Sequence, residues 1–426
     1  MKITYIYHSG FLVESADAYY IFDYYRADFP VTDADKPVYV FVSHRHPDHY
    51  NPYVFEILRE KKVRRMTGII SYDIKPRNYT SHMEGVEIIA AEPDKEYTLD
   101  NGALVRTLRS TDKGVAYVVT FDDGGVPRSV YHAGDLNDWV WEGEDERVNK
   151  WMTGSYRRYL TAVEGMHFDA VMVPVDSRQG DDMFRGIEYL LEKVKADAVY
   201  PMHYWDKPEV IMQFAGKYPQ YADIIRYTED RMDRYSVIED KNPREIVLLR
   251  GSGCVYKKCT FCDYYSDSGK DEDVNYMINR AALSQVTGKY GNIEIINSGS
   301  VFELDKRTIE LIKKRCAECM IHTIHFEAHY LYNNRIEDLR REFADFELKM
   351  KLGLESFDYD FREKILHKGI PEKDPEVISR NFDEANFLFG IRGQTEDGMR
   401  KDIELGLANF ERICTVSYTH LTLPTT

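Results

Sequence analysis

Short apolar runs separated by turns dominate the first half of the chain, and this pattern predicts β-strands. Residues 3–7, 19–23 and 38–42 are brief and rich in Val, Ile, Phe and Tyr, and 116–121, 129–132, 170–174 and 198–202 follow the same form. Helical spacing appears over residues 53–61 and 182–195. In the second of these, Phe184, Ile187, Leu190, Leu191 and Val194 fall on one stripe. The polar stretch from Thr228 to Arg244 then interrupts the pattern and marks a boundary. Beyond it, strands at 245–249, 293–296, 322–326 and 348–354 alternate with helices at 274–287, 306–315 and 335–343. That rhythm predicts a parallel sheet with crossover helices.

Composition narrows the classes. A length of 426 residues with 43% hydrophobic content suits two or three globular domains. The formal charge of −16 excludes bulk electrostatic binding to nucleic acid or an anionic membrane. It leaves room for a modified-RNA substrate held by local cations. The basic run Lys61-Lys62-Val63-Arg64-Arg65 reads as a solvated helix face. No apolar run reaches the ~18–20 residues of a membrane span, and the first residues lack a signal peptide's apolar stretch. A cytoplasmic location is the expectation. The six cysteines all lie at or after Cys254, whereas eight of the thirteen histidines precede residue 204. Two different metal chemistries follow from that division.

The histidines concentrate at the end of the predicted strand 38–42. Ser43-His44-Arg45-His46-Pro47-Asp48-His49 puts four metal-binding side chains within six residues. On an extended segment His44 and His46 share a face, and a turn brings Asp48 and His49 toward a second position. Imidazole and carboxylate suit Zn²⁺, Mn²⁺ or Fe²⁺. His-x-His-x-Asp-His resembles the signature of the metallo-β-lactamase fold. His8-Ser9-Gly10-Phe11, Ile21-Phe22-Asp23, Tyr131-His132-Ala133-Gly134-Asp135 and Pro201-Met202-His203-Tyr204 extend the likeness in order, toward its ascorbate-phosphate-lactonase-like branch. The resemblance covers residues 1–238 and implies an αββα sandwich. It also implies one metal position at His44 and His46, a second at Asp48, His49 and His203, and Asp135 bridging them. Asp48 and Asp135 are the implied catalytic carboxylates, with His8 and His132 supporting the ligands from behind. The family's further histidine is missing: Leu108-Arg109-Ser110-Thr111-Asp112-Lys113-Gly114 offers only Asp112, or water, to complete the first position. Asp176 and Arg178 read either as an anion-holding fork or as a surface ion pair. Trp139, Trp141 and Trp205 read as core or pocket wall.

After the strand at 245–249, a glycine-rich turn carries Cys254, Cys259 and Cys262. Three thiolates on one loop suit an iron–sulfur cluster with one iron free for a chelating ligand, or a zinc knuckle with a fourth ligand. The arrangement resembles the radical S-adenosylmethionine (SAM) family, although the first spacing is Cys-x4-Cys where the family usually has Cys-x3-Cys. Phe261 matches the aromatic residue before the last cysteine. The resemblance extends over 245–415, after a linker at 239–244. His367-Lys368-Gly369 points to the branch resembling the Elongator catalytic subunit. It implies an incomplete (β/α) barrel, a [4Fe–4S] cluster, and SAM contacts from Phe261, Ser298, Gly299 and Glu355. An electron donor for the cluster is the implied partner. Cys316 and Cys319 read as buried reduced thiols. Residues 416–426 resemble a translated sequencing adapter, so the second domain is expected to continue in the natural protein.

The expectation is therefore a metal-dependent hydrolase joined to a radical SAM domain. Metal-activated water would attack a phosphoester, lactone or amide of a small-molecule substrate. The alternatives are a radical SAM enzyme carrying a degenerate, non-catalytic first domain, or two neighbouring genes artificially joined. Oligomeric state is left open.

Overall fold

The computed structural model describes residues 1–75, 81–230, 234–262 and 267–417, and the chain divides into two compact units, Met1–Arg231 and Met232–Thr426. Among the described residues, no helix is long and apolar enough to cross a membrane.

The first unit is a sandwich of two six-stranded sheets. One sheet runs in chain order through β1 (Lys2–Tyr7), β2 (Gly10–Glu14), β3 (Tyr19–Phe22), β4 (Val38–Val42), β5 (Met66–Ser71) and β6 (Glu87–Ala91). It is antiparallel up to β3 and parallel from β3 to β6. The other contains β7 (Glu96–Thr98), β8 (Leu104–Arg109), β9 (Val115–Asp122) and β10 (Pro127–His132). A two-residue β11 (His167–Phe168) precedes β12 (Ala170–Pro174), and β13 (Lys195–Ala196) precedes β14 (Val199–Met202). The second sheet is ordered β14-β12-β10-β9-β8-β7, while β11 pairs with β13 alone. β4 and β12 are buried along their whole length. This is why both read as unbroken apolar runs rather than alternating ones.

Aromatic packing joins the sheets. Tyr20 stacks on Phe121 at 4.7 Å and Phe22 on His132 at 5.0 Å. The buried Tyr117 hydroxyl on β9 donates toward the carbonyls of Val42 (2.8 Å) and Ile69 (3.1 Å) at the ends of β4 and β5. β10, β12 and β14 are mutually parallel, so the segments leaving them emerge at one edge. Two glycines let neighbouring loops pack on the segment after β4. A Cβ on Gly114 (φ +71°) would sit 1.9 Å from the Ser43 carbonyl oxygen, and one on Gly134 (φ +51°) 2.6 Å from Ser43 Cβ.

The second unit is a curled seven-stranded half-barrel resembling part of a radical SAM barrel. Its strands are β15 (Tyr235–Ile238), β16 (Arg244–Leu249), β17 (Asn292–Asn297), β18 (Thr323–Ala328), β19 (Glu347–Glu355), β20 (Glu384–Phe389) and β21 (Arg412–Ser417), paired in chain order. β15 is antiparallel to β16, and the rest are parallel. Helices Glu272–Leu283, Lys306–Glu318 and Glu396–Asn409 begin at Asp271, Asp305 and Thr395, whose side chains accept backbone N–H groups of the first turn. A buried ionic set crosses the sheet: Glu294 with Arg244 (2.5 Å) and Lys351, and Glu384 with Arg412 and His325 (2.9 Å).

Two strands cross the boundaries read from the sequence. Residues 235–238, assigned above to the first domain, form the edge strand of the second unit because their register matches Arg244–Val247. Val416 and Ser417, assigned to the adapter-like tail, pair with Leu388 and Phe389. Residues 418–426 lie outside the described residues.

Gly114→Ala should destabilise the first unit by more than ~1 kcal/mol, since it adds a left-handed backbone cost to a backbone clash. A lower thermal midpoint in calorimetry checks this; an unchanged midpoint contradicts the packing described.

Candidate functional site

Two groups of side chains converge at the edge of the first unit. His8, Asp48, His49 and His203 form one, and His44, His46, Asp112 and Asp135 the other, with the ligand-type atoms of each group within 4.8 Å of one another. Each comes from a strand end or turn. His8 lies in the β1–β2 turn, the histidine segment follows β4, Asp112 follows β8, Asp135 follows β10 and His203 follows β14. His8 (φ +59°) and His203 (φ +65°) adopt left-handed backbone conformations that non-glycine residues seldom hold.

Asp135 faces both groups. Its Oδ1 lies 3.2 Å from His49 Nε2 and 3.5 Å from His203 Nε2, while Oδ2 lies 3.4 Å from His44 Nε2. Asp48 Oδ2 is 3.3 Å from His8 Nε2 and 3.9 Å from both His49 Nε2 and His203 Nε2. His46 Nδ1 is 3.6 Å from Asp112 Oδ2. The structure therefore brings Asp112 to the place left open by the missing histidine. His8, given a supporting role from the sequence, presents its Nε2 among the ligand-type atoms.

Carboxylates behind the histidines orient them. Asp23, fully buried and left-handed at φ +42°, pairs with His49 Nδ1 at 2.7 Å and accepts from the Ser43 backbone N–H (2.7 Å) and hydroxyl (2.6 Å). Asp176 accepts from His203 Nδ1 at 3.0 Å and holds the Arg178 guanidinium in a fork of 2.5–3.0 Å. Asp176 is fully buried and Arg178 half-exposed, so the pair reaches from the interior to the surface. Both carboxylates leave the opposite Nε2 directed at the site, as in carboxylate–histidine–metal triads. His132 differs: its Nε2 reaches the Ser9 carbonyl (2.9 Å) and its Nδ1 accepts from the Gly134 N–H (3.2 Å).

The electrostatics follow from crowding opposite charges out of water. Burial opposes ionisation of Asp135, yet His49, His203 and His44 hold it well below the usual carboxylate range. Burial would likewise lower His49, but Asp135 and Asp23 outweigh it and hold it well above its ordinary value. Burial and His49 push His44 down to about 4.

A dinuclear centre fits these residues on one further observation. His8 Nε2, His49 Nε2 and Asp135 Oδ1 are buried without a well-aligned hydrogen bond, His8 Nε2 facing Asp48 at 3.3 Å and His49 Nε2 facing Asp135 at 3.2 Å. Orphaned buried lone pairs are costly unless something occupies them, and the nitrogen–oxygen donor set suits Zn²⁺, Mn²⁺ or Fe²⁺. A cavity of about 330 Å³ opens over the centre, lined among others by Asp48, Asp135, Trp139, Trp141, Arg178 and Trp205.

In the second unit, Cys254, Cys259, Phe261, Cys262, Gly299 and Glu355 line one cavity of about 280 Å³. Ser298 is buried beside it and accepts from the Gly251 N–H at 3.4 Å. Glu303 ties the cysteine loop down, accepting from the N–H groups of Val255 (2.7 Å) and Ser300 (2.6 Å). A Cβ on Gly299 would meet Glu303 Oε2 at 2.0 Å and the Cys254 backbone at 3.1 Å, so the loop passes where only glycine fits. Lys368 belongs to the His367-Lys368-Gly369 segment. Its buried ammonium bonds Glu355 at 2.8 Å, and its charge partly offsets the burial that pushes the Cys259 thiol up to about 11. Glu355 sits at a bulge with φ +71°. Glu327, His329, Asn386, Ser300 and Ser417 add further polar lining. Cys316 is buried and Cys319 donates toward the Val286 carbonyl, away from this cavity. Three thiols on one cavity, with the Lys368 charge acting on Cys259, fit a thiolate-bound cluster.

Residues 2–148 match the model of the β-lactamase superfamily domain, and the N-terminal domain is a metallo-β-lactamase superfamily domain. Over 164 residues the chain is 27% identical to an uncharacterized protein of Methanocaldococcus jannaschii, covering 34% of this chain and 44% of that one. The chain thus spans less than half the length of this curated relative. The metallo-β-lactamase fold protein YhfI from Bacillus subtilis aligns at 17% identity over 46% of this chain and 79% of its own, with a TM-score of 0.30. The C-terminal region is similar to the queuine lyase from Clostridium spiroforme bound to SAM and queuine. That alignment has 42% identity over 45% of this chain and 84% of that chain, with a TM-score of 0.44.

Asp176→Asn should weaken metal affinity by roughly 10–100-fold while leaving every ligand in place. A competition titration against a chelating dye measures this; wild-type affinity would remove Asp176 from the support of His203.

Proposed function

We propose that the first unit is a metal-dependent hydrolase whose water attacks a phosphoester, lactone or amide. The placement of Asp135, one oxygen toward each ligand group, carries this reading. His44, His46, Asp112 and Asp135 would hold one cation, and His8, Asp48, His49 and His203, with Asp135 shared, the other. When bound, the cations supply Lewis-acid polarisation and lower the pKa of water. The protein's own part is positional. Asp23 and Asp176 hold His49 and His203 in one tautomer, and Asp48, half-buried at the cavity floor, is placed to orient the water and accept its proton. Trp139, whose Nε1 donates to the Asp135 carbonyl at 2.9 Å, shields the bridging segment from bulk solvent.

For the second unit, the proposal is radical SAM chemistry on queuine or a close analogue. The 42% identity to the queuine lyase supports it, together with the three cysteines, Gly299 and Glu355 on one cavity. A [4Fe–4S] cluster on Cys254, Cys259 and Cys262 would supply the electron that cleaves SAM, with an external donor reloading it. Gly299 and Glu355 would position SAM, and Lys368 holds the Glu355 carboxylate in place.

Two measurements test these readings. Metal-loaded chain should hydrolyse bis(p-nitrophenyl) phosphate or a lactone, and Asp135→Ala should lower kcat at least ~100-fold with loss of bound metal. A metal-replete chain inert on phosphoester, lactone and amide panels would sink the first reading. After anaerobic reconstitution with iron and sulfide, the chain should bind a cluster visible by its charge-transfer absorbance, and Cys259→Ala should lose it. A reconstituted chain that yields no 5′-deoxyadenosine from SAM with queuine and dithionite would count against the second.

A further inference from the structure

The cavity above the metal centre has two unlike sides. Its floor carries His46, Asp48, Asp112, Asp135 and His203, and its wall is built from Trp139, Trp141, Trp205, Met152 and Arg178. Trp139 and Trp141 lie parallel within 2° at 5.6 Å, and the Arg178 guanidinium carbon lies 5.7 Å from the Trp141 ring and 4.9 Å from Trp205. The wall continues from Trp205 onto His8, 4.3 Å away, and from Trp139 onto His203, 5.6 Å away.

Trp205 is the informative member. This residue is 39% exposed, and its backbone holds φ +48°, a conformation disfavoured for a bulky side chain. A large apolar surface left in water on a strained backbone is compensated when a ligand covers it. The charges add a second constraint. Arg178 is neutralised by Asp176 through Nε and Nη2. Asp48, Asp112 and Asp135 on the floor would repel a bare anion, so an anionic reacting group suits this floor with the cations of the proposed centre in place.

Building on the hydrolase reading above, we infer that the first unit takes a phosphoester whose leaving alcohol carries a planar heterocyclic base, of the nucleoside monophosphate type. The phosphate lies on the floor, and the base stacks against Trp205, Trp141 and the Arg178 plane. In the reaction, a water oxygen forms the new P–O bond and the ester P–O bond breaks. The alcohol leaves with a proton that came from the water, giving inorganic phosphate and a free nucleoside. Base stacking on indole and guanidinium tolerates many bases, because every base has a π-face.

The four tryptophans of the chain are Trp139, Trp141, Trp151 and Trp205, so indole emission reports the first unit alone. The full chain, loaded with Zn²⁺, is titrated with guanosine 5′-monophosphate and with ribose 5-phosphate while that emission is followed. The nucleotide should quench it saturably, with a midpoint at least about tenfold lower than the sugar phosphate. Trp205→Ala should raise the nucleotide midpoint about tenfold, and Trp205→Phe should restore it to within about threefold. Equal midpoints for the two probes, or an unaffected Trp205→Ala variant, overturns the inference. Saturable nucleotide quenching without phosphate release upholds the base-stacking wall and counts only against hydrolysis. Phosphate release as efficient from ribose 5-phosphate as from the nucleotide keeps the hydrolase and overturns the base specificity.

Discussion

The Asp135 carboxylate is the group on which the first unit is organised. A buried anion needs compensation, and here His49 and His203 supply it on one side and His44 on the other. Those histidines need orientation in turn, which Asp23 and Asp176 provide from fully buried positions. The result is a shell of alternating charge in which several lone pairs still have no protein partner. Such a shell is stable around divalent cations and costly without them, since breaking one pair leaves another charge uncompensated.

The sandwich serves this arrangement through parallel strand ends. β10, β12 and β14 deliver Asp135, Asp176 and His203 to one edge, and the segment after β4 meets them there. Close approach is the price, met by Gly114 and Gly134 against Ser43. The second unit uses the same device with different chemistry. Its strand ends bring a cysteine loop, Gly299 and Glu355 around one cavity, and again a glycine permits the loop to cross where a side chain would collide. Left-handed non-glycine residues occur at both sites, among them His8, Asp23, His203 and Glu355, as well as in turns elsewhere such as Lys62, Asp94 and Met320. At the sites the surrounding bonds hold the strained backbone in place.

Much of this was legible beforehand. Dense spacing exposed the ligands: His44, His46, Asp48 and His49 stand within six residues, and the three cysteines on one loop. The strands with strong Val, Ile and Phe runs, such as 38–42 and 170–174, are present over those same residues. Other strands were passed over. Two arginines and a threonine interrupt the apolar residues of β8, and β15 is four residues long at a sheet edge. Their pairing comes from neighbours, which local pattern does not encode.

The sequence by itself determined the chemistry available, namely imidazole and carboxylate in one half and thiolate in the other, because ligand type is a property of the residue. It also determined the coarse α/β rhythm, because hydrophobic period is local. Only the tertiary structure decided which groups meet. Asp112 meets His44, His46 and Asp135, Asp23 and Asp176 stand behind His49 and His203, and three tryptophans spread over 67 positions line one cavity. These contacts join residues far apart in the chain. They depend on strand register and loop packing, and a one-dimensional spacing carries neither.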